Sequence, residues 1–189
     1  LHWSTAKYNP WQEFQLLENL SNLIDEGYRF KIGLSNTGPK RLQKIINFLA
    51  TKNKIINSVQ VQFSLLSPDI KKQRILKKVC DDNKIEFIAY SPLSFGILCQ
   101  DPHPISKTNK SLLRNSIFNA YNKPTIRLRK LIKEIAEKRS VSMAQVAVNW
   151  CCYQGAIPLI GLRKKSHVLD ISRVLRWDLT KDEYNKLRS

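Results

Sequence analysis

The chain has 189 residues, 42% of them hydrophobic, which is enough for one globular domain over residues 1–189 with a sizeable core. No apolar run approaches the roughly 20 residues that a bilayer-spanning helix needs, so the sequence predicts a soluble protein without a membrane segment. Lys and Arg number 32 against 15 Asp and Glu, a formal net charge of +17 that would attract nucleic acid, acidic lipid or a phosphorylated cofactor.

The four cysteines predict no metal site. Cys80, Cys99, Cys151 and Cys152 form no C-x-x-C pair, and no His lies at zinc-finger spacing. We expect free thiols in a reducing compartment. The Lys and Arg residues recur in small clusters on the polar sides of helical patterns, which is typical of solvated helix faces.

Helices and strands alternate along the first half of the sequence. Apolar residues at helical spacing predict an amphipathic helix that Gly27 ends. Pro39 suits the first turn of the next helix, and Pro68 with Asp69 begins a third, whose inward residues we expect to include Ile75 and Leu76. The predicted helices cover 12–25, 39–49 and 69–80, and the predicted strands cover 28–36, 58–66 and 85–93.

The second half begins with a stretch that has no periodicity. Residues 100–124 contain three prolines among polar residues and predict a long loop. Ser142 and Gln145 form a capping box at the start of a helix, and Thr180 caps the last one. The elements predicted after the loop are helices over 125–138 and 142–153, a strand over 156–161, a closing helix over 168–175 and a terminal helix from 180.

Strands that alternate with helices about every 30 residues predict βα units and a parallel sheet, either doubly wound or closed as a barrel. The six glycines include no G-x-G-x-x-G fingerprint, which favours the (β/α)8 barrel over the dinucleotide fold. A barrel carries its chemistry at the C-terminal ends of its strands. Polar and aromatic residues follow the predicted strands there, among them His2, Ser35, Asn36, Gln60 and Tyr90.

Six segments in order resemble motifs of the aldo-keto reductase family. "LHW" at residue 1 resembles the end of the fourth barrel strand, and "KIGLSN" at residue 31 resembles the family's G-[VL]-S-N strand end. The other four segments are "SVQVQFSLL" at 58, "FIAYSPLSFGIL" at 87, "AQVAVNW" at 144 and "IPLIG" at 157.

The resemblance implies an α/β TIM barrel, incomplete here, from the end of the fourth strand through the eighth strand and the C-terminal helices. It also implies an oxidoreductase that passes a hydride from NADPH to a small aldehyde or ketone without a metal. The family's catalytic tetrad is Asp, Tyr, Lys and His, and its first three members belong to βα units that this sequence does not contain. We therefore expect the 189-residue chain alone to fold poorly and to lack reductase activity.

The resemblance assigns the nicotinamide end of the cofactor first. His2 matches the tetrad histidine that hydrogen-bonds the substrate carbonyl oxygen. Ser35, Asn36 and Gln60 match the residues that hold the nicotinamide carboxamide, and Tyr90 matches the aromatic ring that stacks on nicotinamide. Gln62 lies on the same strand face as Gln60, and we interpret it as structural.

The resemblance also assigns residues to the phosphates and the adenine. Ser91 and Leu93, with Ser94 as a further candidate, match the loop under the pyrophosphate. Residues matched to the adenosine 2′-phosphate and adenine are Gly161, Arg163, Lys164, His167 and Asp170, and the Arg and Lys favour NADPH over NADH. Three positions depart from the family pattern: Val59 and Ile171 replace Asn, and Phe63 replaces Tyr.

Two other functions remain open from the sequence. A basic module could bind nucleic acid or another anion through the +17 charge, although the basic clusters lie on successive helices that would ring a barrel. A relative that has lost catalysis could bind the nucleotide without turnover. The abundance of Lys, Ile and Asn, together with "RWDLT" at residue 176, favours a plastid location, with the cytoplasm as the alternative.

Overall fold

A computed structural model describes residues 1–2, 10–67, 69–102 and 123–188. Trp3, His103 and most of the predicted loop over 100–124 lie outside the described residues. The chain divides into two compact units, the first formed by residues 1–62 and 67–90 and the second by residues 63–66 and 91–189.

The first unit alternates three helices with three strands, as the sequence predicts. Gly27 adopts a φ of 98° at the end of the first helix, and Pro39 occupies the first turn of the second. The elements are α1 (Pro10–Asp25), β1 (Gly33–Ser35), α2 (Pro39–Ala50), β2 (Ser58–Gln62), α3 (Ile70–Asp82) and β3 (Glu86–Tyr90).

The three strands pair in parallel, with β2 between β1 and β3. Leu34, Val59 and Phe87 stand in register and are buried, so they form one apolar face of the sheet. Side chains alternate along a strand, which leaves Ser35, Gln60 and their neighbours on the opposite face. The buried residues of α2 and α3 complete the core on the apolar side.

Several details of the predicted elements are wrong, and all three strands of this unit are shorter than predicted. The strand expected over 28–36 is only Gly33–Ser35, and Tyr28 before it is exposed. Ile75 is 57% exposed, whereas its neighbour Leu76 is buried. Successive helical residues point about 100° apart, so at this position of α3 only one of the two adjacent apolar residues faces the core, and the spacing alone does not decide which.

Leu1 extends the sheet beyond β1. Its ammonium donates to the Gly33 carbonyl oxygen at 2.6 Å, and its own carbonyl oxygen accepts from the Ser35 N–H at 3.0 Å. Bonds to residues on either side of Leu34 are the pattern of a parallel ladder. This pairing agrees with the interpretation of "LHW" as the end of a strand.

The second unit is built mainly from helices around a buried aromatic group. The Phe63 and Trp150 rings stack with centroids 5.2 Å apart, and Tyr184 lies beyond Trp150. Its elements are a 3₁₀ turn (Ser94–Cys99), α4 (Ile126–Arg139), α5 (Met143–Tyr153), β4 (Ile157–Leu159), α6 (Lys165–Ile171), a second 3₁₀ turn (Val174–Arg176) and α7 (Lys181–Arg188).

The predicted helix caps are present in this unit. Ser142 Oγ accepts from the Gln145 N–H at 3.1 Å at the start of α5. Thr180 and Glu183 form a complete capping box, because each backbone N–H donates to the other's side chain. The expected closing helix is shorter than predicted, since α6 ends at Ile171.

In the described part of the chain, no helix is long and apolar enough to cross a membrane. The same residues contain no cluster of three His, Cys, Asp or Glu side chains that could hold a metal ion. All four cysteines are unpaired.

Candidate functional site

A polar face of the first unit collects four of the candidate side chains. Ser35 is in register with Gln60, and Gln62 with Tyr90. Alternation therefore places all four on the face opposite the apolar core, at or near the C-terminal ends of their strands. The sequence predicts three of them as cofactor residues, and the fourth, Gln62, lies beside Tyr90.

Asn36 and Tyr90 meet at this edge although they are 54 residues apart in the sequence. The Tyr90 hydroxyl donates to Asn36 Oδ1 at 2.9 Å. The Asn36 backbone has a φ of 55°, a left-handed conformation that Asn tolerates better than most residues, and its N–H donates to the Gln60 carbonyl oxygen. Three predicted cofactor residues are thus joined in one hydrogen-bonded group.

His2 follows the residue that pairs with β1. Because Leu1 stands opposite Leu34, strand alternation assigns His2 to the polar face beside Ser35. Its side chain is exposed. The imidazole predicted to be catalytic is therefore at the same end of the sheet as the Asn36–Tyr90 pair.

A cavity of about 350 Å³ opens beside this pair, and no sequence pattern indicates it. Its walls are the strand ends, the first residues of α2 and the first turns of α3, with Thr37, Lys72 and Gln73 among them. The sequence signals near it are Pro39 and Asp69, which mark two helix starts but do not show which side chains each helix brings to the other.

The loop after β3 carries the residues predicted to lie under a pyrophosphate. Ser91, Ser94, Phe95 and Gly96 all have positive φ, and the Ser94 N–H donates to the Ser91 carbonyl oxygen at 2.9 Å. Left-handed conformations are costly for Ser and Phe, and they cluster at functional turns. Ser94 is buried, and its Oγ is 2.8 Å from Ser64 Oγ.

The residues predicted for the 2′-phosphate occupy one exposed segment of the second unit. Gly161, Arg163 and Lys164 follow β4, and His167 lies in the first turn of α6; all four are exposed. A β-carbon built on Gly161 would meet no atom within 4 Å. The segment therefore presents its cations to solvent.

Asp170 has structural partners in this fold. Ser142 Oγ donates to Asp170 Oδ2 at 2.6 Å, and Gln145 Nε2 donates to Asp170 Oδ1 at 2.7 Å. Each carboxylate oxygen can accept a second hydrogen bond. The contact with adenine stays a prediction, and the sequence did not show the tie between α6 and the start of α5.

The cysteines contribute no nucleophile to either unit. Burial raises the pKa of the Cys80 and Cys99 thiols to about 12, and burial also raises the pKa of Cys151 and Cys152. A thiol needs its thiolate form to attack or to bind metal. All four are therefore protonated at neutral pH.

Comparison with known proteins gives one family. The model of the aldo/keto reductase family matches residues 1–189. A chloroplastic pyridoxal reductase from Arabidopsis thaliana is 40% identical over 189 residues, which cover 99% of this chain and 50% of that protein. An NADPH-dependent alpha-keto amide reductase from Saccharomyces cerevisiae is 25% identical, over 90% of this chain and 46% of that protein.

Solved structures show the same architecture. A thermostable aldo-keto reductase superposes with a TM-score of 0.70 at 18% identity, covering all of this chain and 57% of that one. An aldose reductase from Schistosoma japonicum superposes with a TM-score of 0.65 at 20% identity, covering 93% of this chain and 46% of that one. The predicted α/β TIM-barrel fold, partial in this chain, is confirmed, and the chain spans about half the length of the curated relatives it matches.

Proposed function

Because this chain belongs to the aldo/keto reductase family, we propose that its protein transfers a hydride between NADPH and the carbonyl carbon of a small aldehyde or ketone. The observation that carries the proposal is the hydrogen bond from the Tyr90 hydroxyl to Asn36 Oδ1. It joins two of the residues assigned to nicotinamide at the strand ends, where a parallel barrel carries its chemistry.

The side chains of the polar face fit a nicotinamide group. A carboxamide has one carbonyl acceptor and two N–H donors, and Ser35, Asn36 and Gln60 offer hydroxyl and amide groups that match both. The Tyr90 ring supplies an apolar surface for stacking. When bound, NADPH supplies the hydride, and these residues fix the face of the ring that is offered.

His2 is the proposed group on the substrate side. An imidazole N–H near the carbonyl oxygen stabilises the negative charge that develops there and orients the carbonyl. The Asp, Tyr and Lys of the family's tetrad are not matched within these 189 residues. The proposed role of His2 therefore belongs to a complete barrel.

The phosphate end of NADPH is assigned to the second unit. The turn that holds Ser91 and Leu93 offers backbone N–H groups to the pyrophosphate. Arg163, Lys164 and His167, beside Gly161, offer cations to the 2′-phosphate, and a carboxylate at Asp170 can accept from the adenine amino group. Two permanent cations near a dianion favour NADPH over NADH.

The similarity to a chloroplastic relative supports a plastid location for this protein. Since that relative is named a pyridoxal reductase, pyridoxal is the first aldehyde to test as a substrate. A phosphorylated cofactor accounts for the cations after β4, and we propose no nucleic-acid partner.

The decisive experiment is NADPH binding and oxidation by the full-length protein with pyridoxal as the aldehyde. We expect Tyr90→Leu to raise the Kd for NADPH about tenfold, because an aromatic contact of this kind contributes up to about 1.4 kcal/mol beyond its buried area. Tyr90→Phe keeps the ring and should stay within about threefold of the original. His2→Ala should lower kcat about a hundredfold and leave NADPH affinity unchanged.

Tyr28→Leu is the matched control, because Tyr28 is an exposed tyrosine of the same unit outside the polar face. It should change neither binding nor turnover. NADPH affinity that is unaffected by Tyr90→Leu would contradict the proposed nicotinamide site. Binding without oxidation of NADPH by any aldehyde would instead favour a relative that has lost catalysis.

A further inference from the structure

The cavity beside Asn36 and Tyr90 has a wall that the proposed reaction does not use. This wall is formed by Thr37, Gly38 and Pro39 at the start of α2, together with Asp69, Lys72 and Gln73 at the start of α3. Both helices therefore direct their N-terminal ends toward one space of about 350 Å³.

Two residues of this wall each carry a buried polar atom that has no hydrogen-bond partner among the described residues. Thr37 is 7% exposed, and its Oγ1 is unpaired. Gln73 Nε2 donates to the Gln62 carbonyl oxygen at 2.6 Å, which fixes the amide orientation and leaves Oε1 unpaired. An unpaired buried polar atom is unfavourable, so these two atoms point to a polar ligand for this cavity.

The start of α2 is a site of positive potential. Its N-cap, Gly38, has no side chain to accept from the first turn, and the first helical bond runs from the Leu42 N–H to the Gly38 carbonyl oxygen. The backbone N–H groups before Leu42 therefore have no acceptor within the helix, and the helix dipole adds about half a positive charge at this end.

Lys72 lies directly over that helix end. A β-carbon built on Gly38 would be 3.4 Å from Lys72 Cε and 3.9 Å from Lys72 Nζ. In the part of the chain that the structure describes, no carboxylate pairs with this ammonium. A cation beside the positive end of a helix dipole is repelled by it. An anion bound between them is attracted by both and removes this repulsion.

Of the lining residues that the structure describes, Asp69 is the acidic one. Its Oδ1 accepts from the Lys72 backbone N–H at 3.1 Å and caps α3. Its carboxylate therefore caps the N-terminus of its own helix and, among the described residues, does not pair with the N-terminus of α2. The N-terminus of α2 and the Lys72 ammonium keep their positive potential.

We propose that this cavity binds a phosphate group, free or as a phosphomonoester. The Thr37 hydroxyl, the backbone N–H groups of the first α2 turn and the Lys72 ammonium donate to its oxygens. Hydrogen phosphate also carries a proton that the unpaired Gln73 Oε1 accepts, whereas a carboxylate at neutral pH has no proton to donate. The inference stands apart from hydride transfer and does not rest on it.

The test is to titrate the full-length protein with inorganic phosphate and with glycerol 3-phosphate. Binding is measured by ³¹P line broadening and by calorimetry. Lys72→Ala should weaken binding about tenfold, because it removes the one side-chain cation among the described residues of the wall. Thr37→Val should weaken binding about fivefold without loss of stability, because the hydroxyl it removes has no protein partner.

Lys78→Ala is the matched control, since it removes the same charge from an exposed position of the same helix away from the cavity. It should leave phosphate affinity within about twofold. Tighter binding of inorganic phosphate identifies free phosphate as the ligand, and tighter binding of the ester identifies a phosphorylated organic ligand; either result supports the site. Absence of binding, or equal losses with Lys72→Ala and Lys78→Ala, overturns it.

Discussion

The Glu183 side chain connects two helices of the second unit, α4 and α7. Its two carboxylate oxygens accept from Arg139 at 2.9 and 2.6 Å, and one of them also accepts from the N–H and hydroxyl of Thr180. The Arg139 guanidinium in turn lies over the Trp177 ring, 4.9 Å from its centroid. The hydrogen bond from Arg139 is the main reason that the pKa of Glu183 falls to about 2.

This pKa predicts a pH dependence of stability. A carboxylate whose pKa is lower in the folded state stabilises the fold above its ordinary pKa, and the contribution is lost as pH falls through the folded value. Glu183→Gln should therefore cost about 2 kcal/mol at neutral pH after allowance for solvent screening. The difference between the two proteins should disappear between about pH 4.5 and pH 2.

Urea unfolding as a function of pH measures this difference. Asp182→Asn removes a neighbouring charge from an exposed position of the same helix turn and serves as the control. An equal loss of stability in both variants would show that general charge, and not the pair with Arg139, sets the effect. The sequence predicted the cap at Thr180, but not Arg139, because that partner comes from another helix, 44 residues away.

At the scale of elements, α5 shows that a family motif can have a structural meaning. In "AQVAVNW", Gln145 and Asn149 lie four residues apart on one buried face. Asn149 Nδ2 donates to the carbonyl oxygens of Val174 and Trp177, and Asn149 Oδ1 accepts from the Leu179 N–H. The side chain thus holds the segment that leads into α7.

Asn149→Ala should destabilise this segment strongly. It leaves two carbonyl groups and one N–H without their partner, and we expect a loss of about 3 kcal/mol from three net hydrogen bonds. Hydrogen exchange at the Leu179 amide should accelerate more than exchange at the amides of α4, because the loss of stability is local.

Hydrogen exchange measured by NMR tests the local effect, and urea unfolding measures the loss of stability. Asn185→Ala, an exposed position on α7, is the control and should stay within about 0.5 kcal/mol. Unchanged protection at Leu179 in Asn149→Ala would contradict the role assigned to Asn149.

At the scale of the whole molecule, apolar residues in each unit are left exposed. In the first unit Ile55 and Ile75 face solvent, and in the second Leu175 is 84% exposed. The second unit also exposes both apolar side chains of β4 and two of α6, Val168 and Leu169. Exposed apolar surface of this kind favours association with another chain or with further segments of the same chain.

We therefore expect the 189-residue polypeptide alone to associate in solution. We also expect it to lack carbonyl reduction, because the Asp, Tyr and Lys of the family's tetrad are not matched within it. Sedimentation, binding of a hydrophobic dye and NADPH oxidation with pyridoxal measure these properties. The matched comparison is a longer polypeptide that adds the family's first three βα units. A monomeric 189-residue chain that oxidises NADPH would contradict the expectation.

The sequence by itself determined the order of helices and strands, the parallel architecture and the helix caps. Periodicity, Gly and Pro positions and Ser or Thr before a helix are local signals, and the resemblance along "KIGLSN" and "FIAYSPLSFGIL" extended them to the family. Strand lengths and the outward position of Ile75 were missed, because pairing and packing set them.

Only the tertiary structure decided which side chains meet. The Tyr90–Asn36 bond, the Arg139–Glu183 pair and the position of Lys72 over the α2 start each join residues from different elements. Such contacts depend on how far each helix slides and turns on its neighbours, which no local pattern encodes. The cavity wall with Thr37 and Gln73 arises in the same way, from the approach of two helix ends.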